Sequence, residues 1–450
     1  MSDIERELSG LDSIALDEVT RTGGRVAALR VIGAATGFVA SILFARTLGP
    51  VGRGLYALPV ATLTIAVVLG RVGLENGQVY MARRNHKLDE LWGNGTYAAS
   101  GIGLASAGVM IAAHAIWGTQ LFGDVPMSWI LLVAIQVPIV LASLFWGGVL
   151  QLAGKVAGFV ASYSVGSVVQ MCLAVGLVLA GELTPFRVLI LMLVANLTVF
   201  IGVLFVSLRA NVASLRFRSA SLSAALVFGL KSHFGLVALV LLLSVDQLIV
   251  RAIEGFRALG LYALAVSLAQ LIWLLTDPLA ATVLSHQVRS PHRGHVRLGL
   301  AVTRMSLLLG AMVALLGAVL APFAIPLVFG TEFRGAIAPF QLLLPGVVVL
   351  AIQRTLMGVL VMEGRAWFLS GLSVLALAVN IGLNFALIPL IGISGASIAS
   401  SACYVALALG FSASILRDEG LPWSNLIPRR ADLARLRLMG RRRDSTQGGA

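Results

Sequence analysis

Charged residues are scarce in this chain: Asp, Glu, Lys and Arg together make up 12% of it, against about 25% in ordinary soluble domains. No soluble fold could cover its surface with so few, which excludes the water-soluble classes at the outset. Cysteine is nearly absent. The two present, Cys172 and Cys403, lie in apolar runs in different halves of the chain, so packed free thiols are expected in place of a disulfide or a thiolate metal site. Paired acids at glycosidase-like positions are missing, as are a glycine-rich phosphate loop and His or Cys at metal-ligand spacing. His286, His292 and His295 gather only in a basic connection. The sequence therefore predicts neither an enzyme nor a cofactor. The ten-residue alternation of an outer-membrane barrel is missing too.

What is present is apolar. Hydrophobic residues are 58% of the chain, and stretches of roughly 20 residues, enough to cross a bilayer core, centre near residues 36, 66, 106, 139, 168, 197, 239, 271, 312, 349, 378 and 405. Backbone groups in lipid must be satisfied within each helix. The expected fold class is all-α: a polytopic membrane protein of about twelve transmembrane helices.

The chain also repeats itself. Gly54-Leu55-Tyr56-Ala57-Leu58 recurs as Gly260-Leu261-Tyr262-Ala263-Leu264, an offset of 206 residues. Gly148-Val149-Leu150 with Gly154-Lys155 recurs as Gly358-Val359-Leu360 with Gly364-Arg365, an offset of 210. Two anchors at nearly one spacing indicate a duplication. Six spans separate each element from its copy, and an even number returns the chain to the same side, so the repeat is parallel. Parallel repeats are related by an axis along the membrane normal, with the substrate site of such transporters between the halves. The expected divisions are an acidic N-terminal tail (1–24), an N-lobe of six helices (25–208), a linker (209–223), a C-lobe of six helices (224–417) and a basic tail (418–450), with the lobes arranged around a central cavity.

A net charge of +13 would suggest nucleic acid in a soluble protein. Here the cations sort by side, as the positive-inside rule requires. With the N-terminus inside, the even-numbered connections carry Arg83, Arg84, Lys87, Arg209, Arg216, Arg218, Arg289, Arg293 and Arg297. Both termini are then cytoplasmic, in a bacterial plasma membrane, and no nucleic-acid partner is expected. Residues 1–24 carry six acids and no apolar core of signal-peptide type, so the first membrane helix is expected to act as the targeting signal. They form either a short amphipathic helix or an acidic tail without structure. The basic run from Arg429 to Arg443 suits anionic headgroups at the inner leaflet; a solvated topological anchor is the blander reading. External connections are short, about ten residues for 118–126, which leaves little room for chemistry outside.

Ionisable residues inside the membrane cost roughly 2.5–3.5 kcal/mol or more at its centre and rarely persist without a partner or a task. Candidates for substrate binding are Arg30, Arg71, Lys231, Arg304 and Arg354, and for gating or ion coupling Asp277, Glu75 and Asp246. All but Asp246 count into the cytoplasmic half, where five cations meet two acids. Each has a structural alternative. Arg30, Arg304 and Lys231 can snorkel to water, Arg71 and Glu75 are an i, i+4 pair that can neutralise itself, and Asp246 is near an outer helix end, in reach of Arg251. Asp277 minus 206 is Arg71, so the repeat sets opposite charges at related positions. Pro278 beside Asp277 biases it away from ideal helix, and broken helices mark the working elements of transporters.

Leu48-Gly49-Pro50 before Gly54-Leu55-Tyr56-Ala57-Leu58, Gly260-Leu261-Tyr262-Ala263-Leu264 after Asp246, and the run Asn380-Ile381-Gly382-Leu383-Asn384 through Ile388-Pro389 and Gly395-Ala396 together resemble the bacterial polysaccharide-biosynthesis flippases of the multidrug/oligosaccharidyl-lipid/polysaccharide exporter superfamily. The resemblance covers roughly residues 25–417. It implies two six-helix lobes, alternating access, and movement of an undecaprenyl-pyrophosphate-linked oligosaccharide to the outer leaflet. Cavity cations of the first two helices of each lobe would meet the pyrophosphate, which Arg30, Arg71 and Lys231 match by helix. It also implies glycosyltransferases and a polymerase of the same pathway as partners. The alternatives are a multidrug/cation antiporter of the same superfamily, for which Glu75 would be the coupling acid, and a non-transporting membrane scaffold for glycan assembly.

Overall fold

The computed structural model describes residues 3–287, 292–362 and 366–427. Side chains are described there except at 3–24, 119, 121, 231–232, 275, 277–298, 354–355 and 357–366. Of the N-terminal tail the backbone of 3–24 is helical and runs on into the first membrane helix, while its acidic side chains, Lys231, the side chains of Asp277 and Pro278, the histidine and arginine side chains of 286–297, Arg354, the Gly364-Arg365 anchor and the basic run beyond Arg429 lie outside what is described.

The described chain is helical: α1 (Asp3–Arg71), α2 (Leu74–Arg83), α3 (Leu88–Trp117), α4 (Met127–Ala134), α5 (Gln136–Leu152), α6 (Val156–Leu179), α7 (Pro185–Arg209), α8 (Ser219–Leu242), α9 (Val245–Gln287), α10 (His292–Phe329), α11 (Ile337–Met362), α12 (Ala366–Ile391) and α13 (Ile393–Asp418). The protein is an all-α polytopic membrane protein. Ten described segments are long and apolar enough to cross a membrane. Leu179, Phe323, Leu327 and Leu390 stand exposed among many other apolar side chains, a surface that only lipid can solvate.

Two of the ten are too long for a single crossing. At about 1.5 Å per residue, the 59 residues of Arg25–Arg83 and the 42 of His233–Leu274 would extend roughly 88 and 63 Å, against a core of about 30 Å. Each breaks at a glycine: Gly49 has φ 63° and ψ −175°, Gly255 φ 82° and ψ −173°. L-residues with a side chain rarely adopt such angles. The two breaks raise the number of crossings to about twelve. They are also 206 residues apart, so the duplication seen in side chains extends to backbone conformation.

The chain forms two compact units. The first takes in residues up to 48 and 62–233; the second takes in 49–61 and the chain from 234 onward. In the first unit the span Met127–Leu152 is central, with 61% of its apolar window buried. Leu141, Phe145, Val149 and Leu150 of α5 are wholly enclosed. Trp146 stacks on Trp92 of α3 at 4.5 Å, and its indole nitrogen donates to Thr96 at 3.0 Å. Gln136, fully buried, accepts from Asn196 of α7 at 2.8 Å, so the polar group inside this core is paired. In the second unit the central spans are Thr331–Gln353 and Ile393–Asp418, at 61% and 56%. Phe411 of α13, Tyr262 and Phe333 are its largest enclosed side chains. Cys172 and Cys403 are both free thiols; Cys403 is buried as expected, whereas Cys172 is exposed on α6.

Candidate functional site

Two groups of polar side chains stand within the apolar spans, one in each unit. In the first, α1 stops at Arg71 because Val72 (φ 41°) and Gly73 (φ 69°) leave the right-handed helical region, and the chain resumes as α2 at Leu74. Across this break the Arg71 guanidinium donates through Nε (2.9 Å) and Nη2 (2.6 Å) to one Glu75 oxygen. The i, i+4 spacing predicts a pair along one continuous helix. The structure instead joins the last residue of one helix to the first turn of the next, where the helix dipole favours an acid. Both side chains are about a quarter exposed, 28% and 25%. Tyr163 of α6 lies within electrostatic reach of both. Arg30 is exposed on α1; beside it, Ser164 of α6 donates to the Leu29 carbonyl at 2.7 Å.

In the second unit Asp246 is 1% exposed. Its Oδ2 accepts from the Tyr262 hydroxyl at 2.5 Å and from Ser400 of α13 at 3.0 Å, and Oδ1 accepts from the Gln247 backbone at 2.8 Å. Asn380 of α12 donates to Ser400 at 3.3 Å, and Asn384 donates to Asn380 Oδ1 at 3.0 Å. The Asn384 Oδ1 has no partner among the described residues. Side chains of α9 and α13 meet at this carboxylate, and α12 joins them through Ser400. Residue counting sets Asp246 at a helix rim; in the fold it is a core residue. Arg251 stacks over Phe256 at 4.7 Å, and Arg304 gives Nη1 to the Asn425 carbonyl at 2.9 Å, holding the turn after α13.

Of the expected site residues with described side chains, the structure brings together Arg71 and Glu75 in the first unit. Tyr163, Tyr262, Ser400, Asn380 and Asn384 join the two groups without having been singled out as site residues, although three of them lie in the motifs that carry the family resemblance. The second group is a buried carboxylate that accepts three hydrogen bonds, an ionisable group inside a membrane span of the kind that marks ion or proton pathways.

No protein-family model matches the sequence, and no curated protein matches it by sequence. Among solved structures, the chain is similar to the lipid II flippase MurJ in an inward closed conformation (TM-score 0.70, 13% identity, covering 90% of this chain and 89% of that one). It is similar to a multidrug resistance MATE family transporter of the MOP superfamily in its inward-facing conformation (TM-score 0.67, 14% identity, 88% and 98%). It is also similar to a MOP superfamily transporter from Pyrococcus furiosus (TM-score 0.59, 12% identity, 89% and 96%). The chain has the fold of the MOP superfamily transporters along nearly its whole length.

Proposed function

We propose that the protein is a flippase that moves an undecaprenyl-diphosphate-linked oligosaccharide across the bacterial plasma membrane by alternating access. In this reading the six-helix repeats, 25–208 and 224–417, move relative to each other about the linker 209–223, with both termini in the cytoplasm. The fold alone does not choose between a lipid-linked glycan and an organic cation, since flippase and drug exporter share it. The observation that favours the flippase is the state of Glu75. Apart from Asp89 and Glu90 in the first turn of α3, it is the one acid in the first unit's described apolar spans, and two guanidinium donors occupy one of its oxygens. The unit offers a cationic drug no free carboxylate there, while Nη1 of Arg71 donates to nothing among the described residues. Phosphate oxygens bind such a fork through charge-assisted hydrogen bonds. Asp246, enclosed in the second unit, is the coupling group, its charge balanced by a proton or a small cation during the cycle.

The test is transport by the purified protein in proteoliposomes. Translocation of an undecaprenyl-diphosphate-linked oligosaccharide, followed by lectin access to the sugar, should be protein-dependent, and ethidium efflux should be absent. Ethidium efflux without glycolipid movement would establish the antiporter instead.

A further inference from the structure

On α8 the residues Ala225, Gly229 and His233 are four apart and share one face. In the first unit that face meets the α1–α2 joint in reverse order. A Cβ on Gly77 would overlap the Ala225 carbonyl; one on Gly73 would overlap the Gly229 carbonyl, and one on Gly229 the Gly73 carbonyl. The ring of His233 then lies beside the Leu69 carbonyl, so 225, 229 and 233 are in register with 77, 73 and 69. Phe228 stacks on Tyr80 at 4.2 Å and fastens the same crossing. Two contacts without bulky side chains press the backbones together, and His233 is the first large side chain on the stripe.

It is 5% exposed, and neither ring nitrogen has a hydrogen-bond partner among the described residues. The Leu69 carbonyl is close without meeting hydrogen-bond geometry. Arg71 is within electrostatic reach of the ring; Glu75 is bound to Arg71, and Tyr163 faces that pair from α6. Packing alone would be served better by an apolar side chain, because a buried polar group without a partner destabilises the fold. An imidazole with two open nitrogens beside a guanidinium is instead suited to an anion that arrives from outside.

We propose that His233, in its protonated form, is a second ligand with Arg71 for the diphosphate of the lipid-linked substrate, reached when α8 draws back from residues 69–77. This rests on the flippase reading. The sign of the pH dependence follows. The protonated ring attracts the anion, and that attraction is lost as pH rises and the ring gives up its proton. The glycolipid's diphosphate, esterified at both ends, keeps a fixed charge, whereas the terminal phosphate of undecaprenyl diphosphate, the probe used below, gains charge above pH ~6 and so holds more strongly to the fixed charge of Arg71. The two contributions have opposite slopes and can be separated by substitution.

The experiment measures binding of undecaprenyl diphosphate to the purified full-length protein, with undecaprenol as the uncharged control. The parent should bind the diphosphate more tightly than the alcohol, and about tenfold more tightly near pH 5.5 than near pH 8. His233→Gln should lose about that tenfold at the lower pH and bind equally well or better as pH rises. His233→Arg should bind tightly at both. A melting temperature for each variant shows that it is folded. A parent that does not discriminate diphosphate from alcohol overturns the flippase reading and this inference together. A parent that discriminates, with variants sharing its affinity and slope, overturns the role of His233 alone. Should His233→Gln fail to fold, a flat or rising parent profile, or an Arg variant that still weakens with pH, overturns it equally.

Discussion

Gly54 and Gly260, one repeat apart, pack directly against each other within the second unit. A Cβ on Gly54 would overlap the Phe256 carbonyl and stand 3.2 Å from the Gly260 nitrogen; one on Gly260 would overlap the Pro50 carbonyl and stand 3.0 Å from the Gly54 nitrogen. Pro50 and Phe256 are also 206 apart, so the contact is its own image under the repeat. Both segments follow equivalent glycine breaks, at Gly49 and Gly255, which orient them alike. Alanine at either position should therefore cost a similar amount, about 1–3 kcal/mol for an overpacked contact, read as a lower melting temperature. The two changes act on one crossing, so the double variant should lose less than the sum. Two alanine variants as stable as the parent would show that the segments are not this close.

Asp246 is held by a tyrosine, a serine and a backbone amide. Replacing it with Asn keeps the shape and removes the charge, so Asp246→Asn should fold while transport loses its dependence on an imposed proton or cation gradient. Tyr262→Phe removes one donor to the carboxylate, worth about 1.5–3 kcal/mol, and should retain gradient-driven transport at a reduced rate. Glycolipid movement by Asp246→Asn that still follows the gradient would remove Asp246 from coupling.

The repeat was legible because identical pentapeptides stand 206 residues apart, and the helical class because charge is too sparse for any soluble surface. The breaks at Gly49 and Gly255 were not legible: one precedes proline and the other phenylalanine, and an isolated glycine in a helical pattern does not announce a positive φ. The surroundings of Asp246 escaped for another reason. Its partners lie 16 and 154 residues away, whereas residue counting finds only neighbours such as Arg251. The Arg71–Glu75 pair was read correctly as a pair, but the turn beneath it depends on Val72 and Gly73 in conformations that spacing cannot reveal. His233 gives no periodic signal, because a single histidine after Lys231 and Ser232 near the start of an apolar span does not stand out until its missing hydrogen bonds are counted.

Orientation rests on the distribution of Arg and Lys. Alkaline-phosphatase fusions should be inactive after residue 87, in a connection with Arg83, Arg84 and Lys87, and active after residue 124, in one with Asp124. The opposite pattern would reverse the orientation and exchange the sides between which the substrate moves.

Arg71 and Glu75 separate the two transport readings most directly. Their pair is about a quarter exposed within a membrane span, and breaking it leaves an ionisable group without its partner there, so a melting temperature for each variant separates loss of function from unfolding. Arg71→Gln removes the fork and should weaken undecaprenyl-diphosphate binding by about tenfold or more. Arg71→Lys keeps the charge without the planar geometry and should fall between the parent and Gln. Glu75→Gln releases two guanidinium donors, so binding should hold or tighten while turnover slows, because the acid that reclaims Arg71 after release is gone. An organic-cation antiporter predicts the reverse ranking: Glu75→Gln would abolish efflux and Arg71→Gln would spare it. The two orders are incompatible, and transport by these three variants in proteoliposomes decides between them.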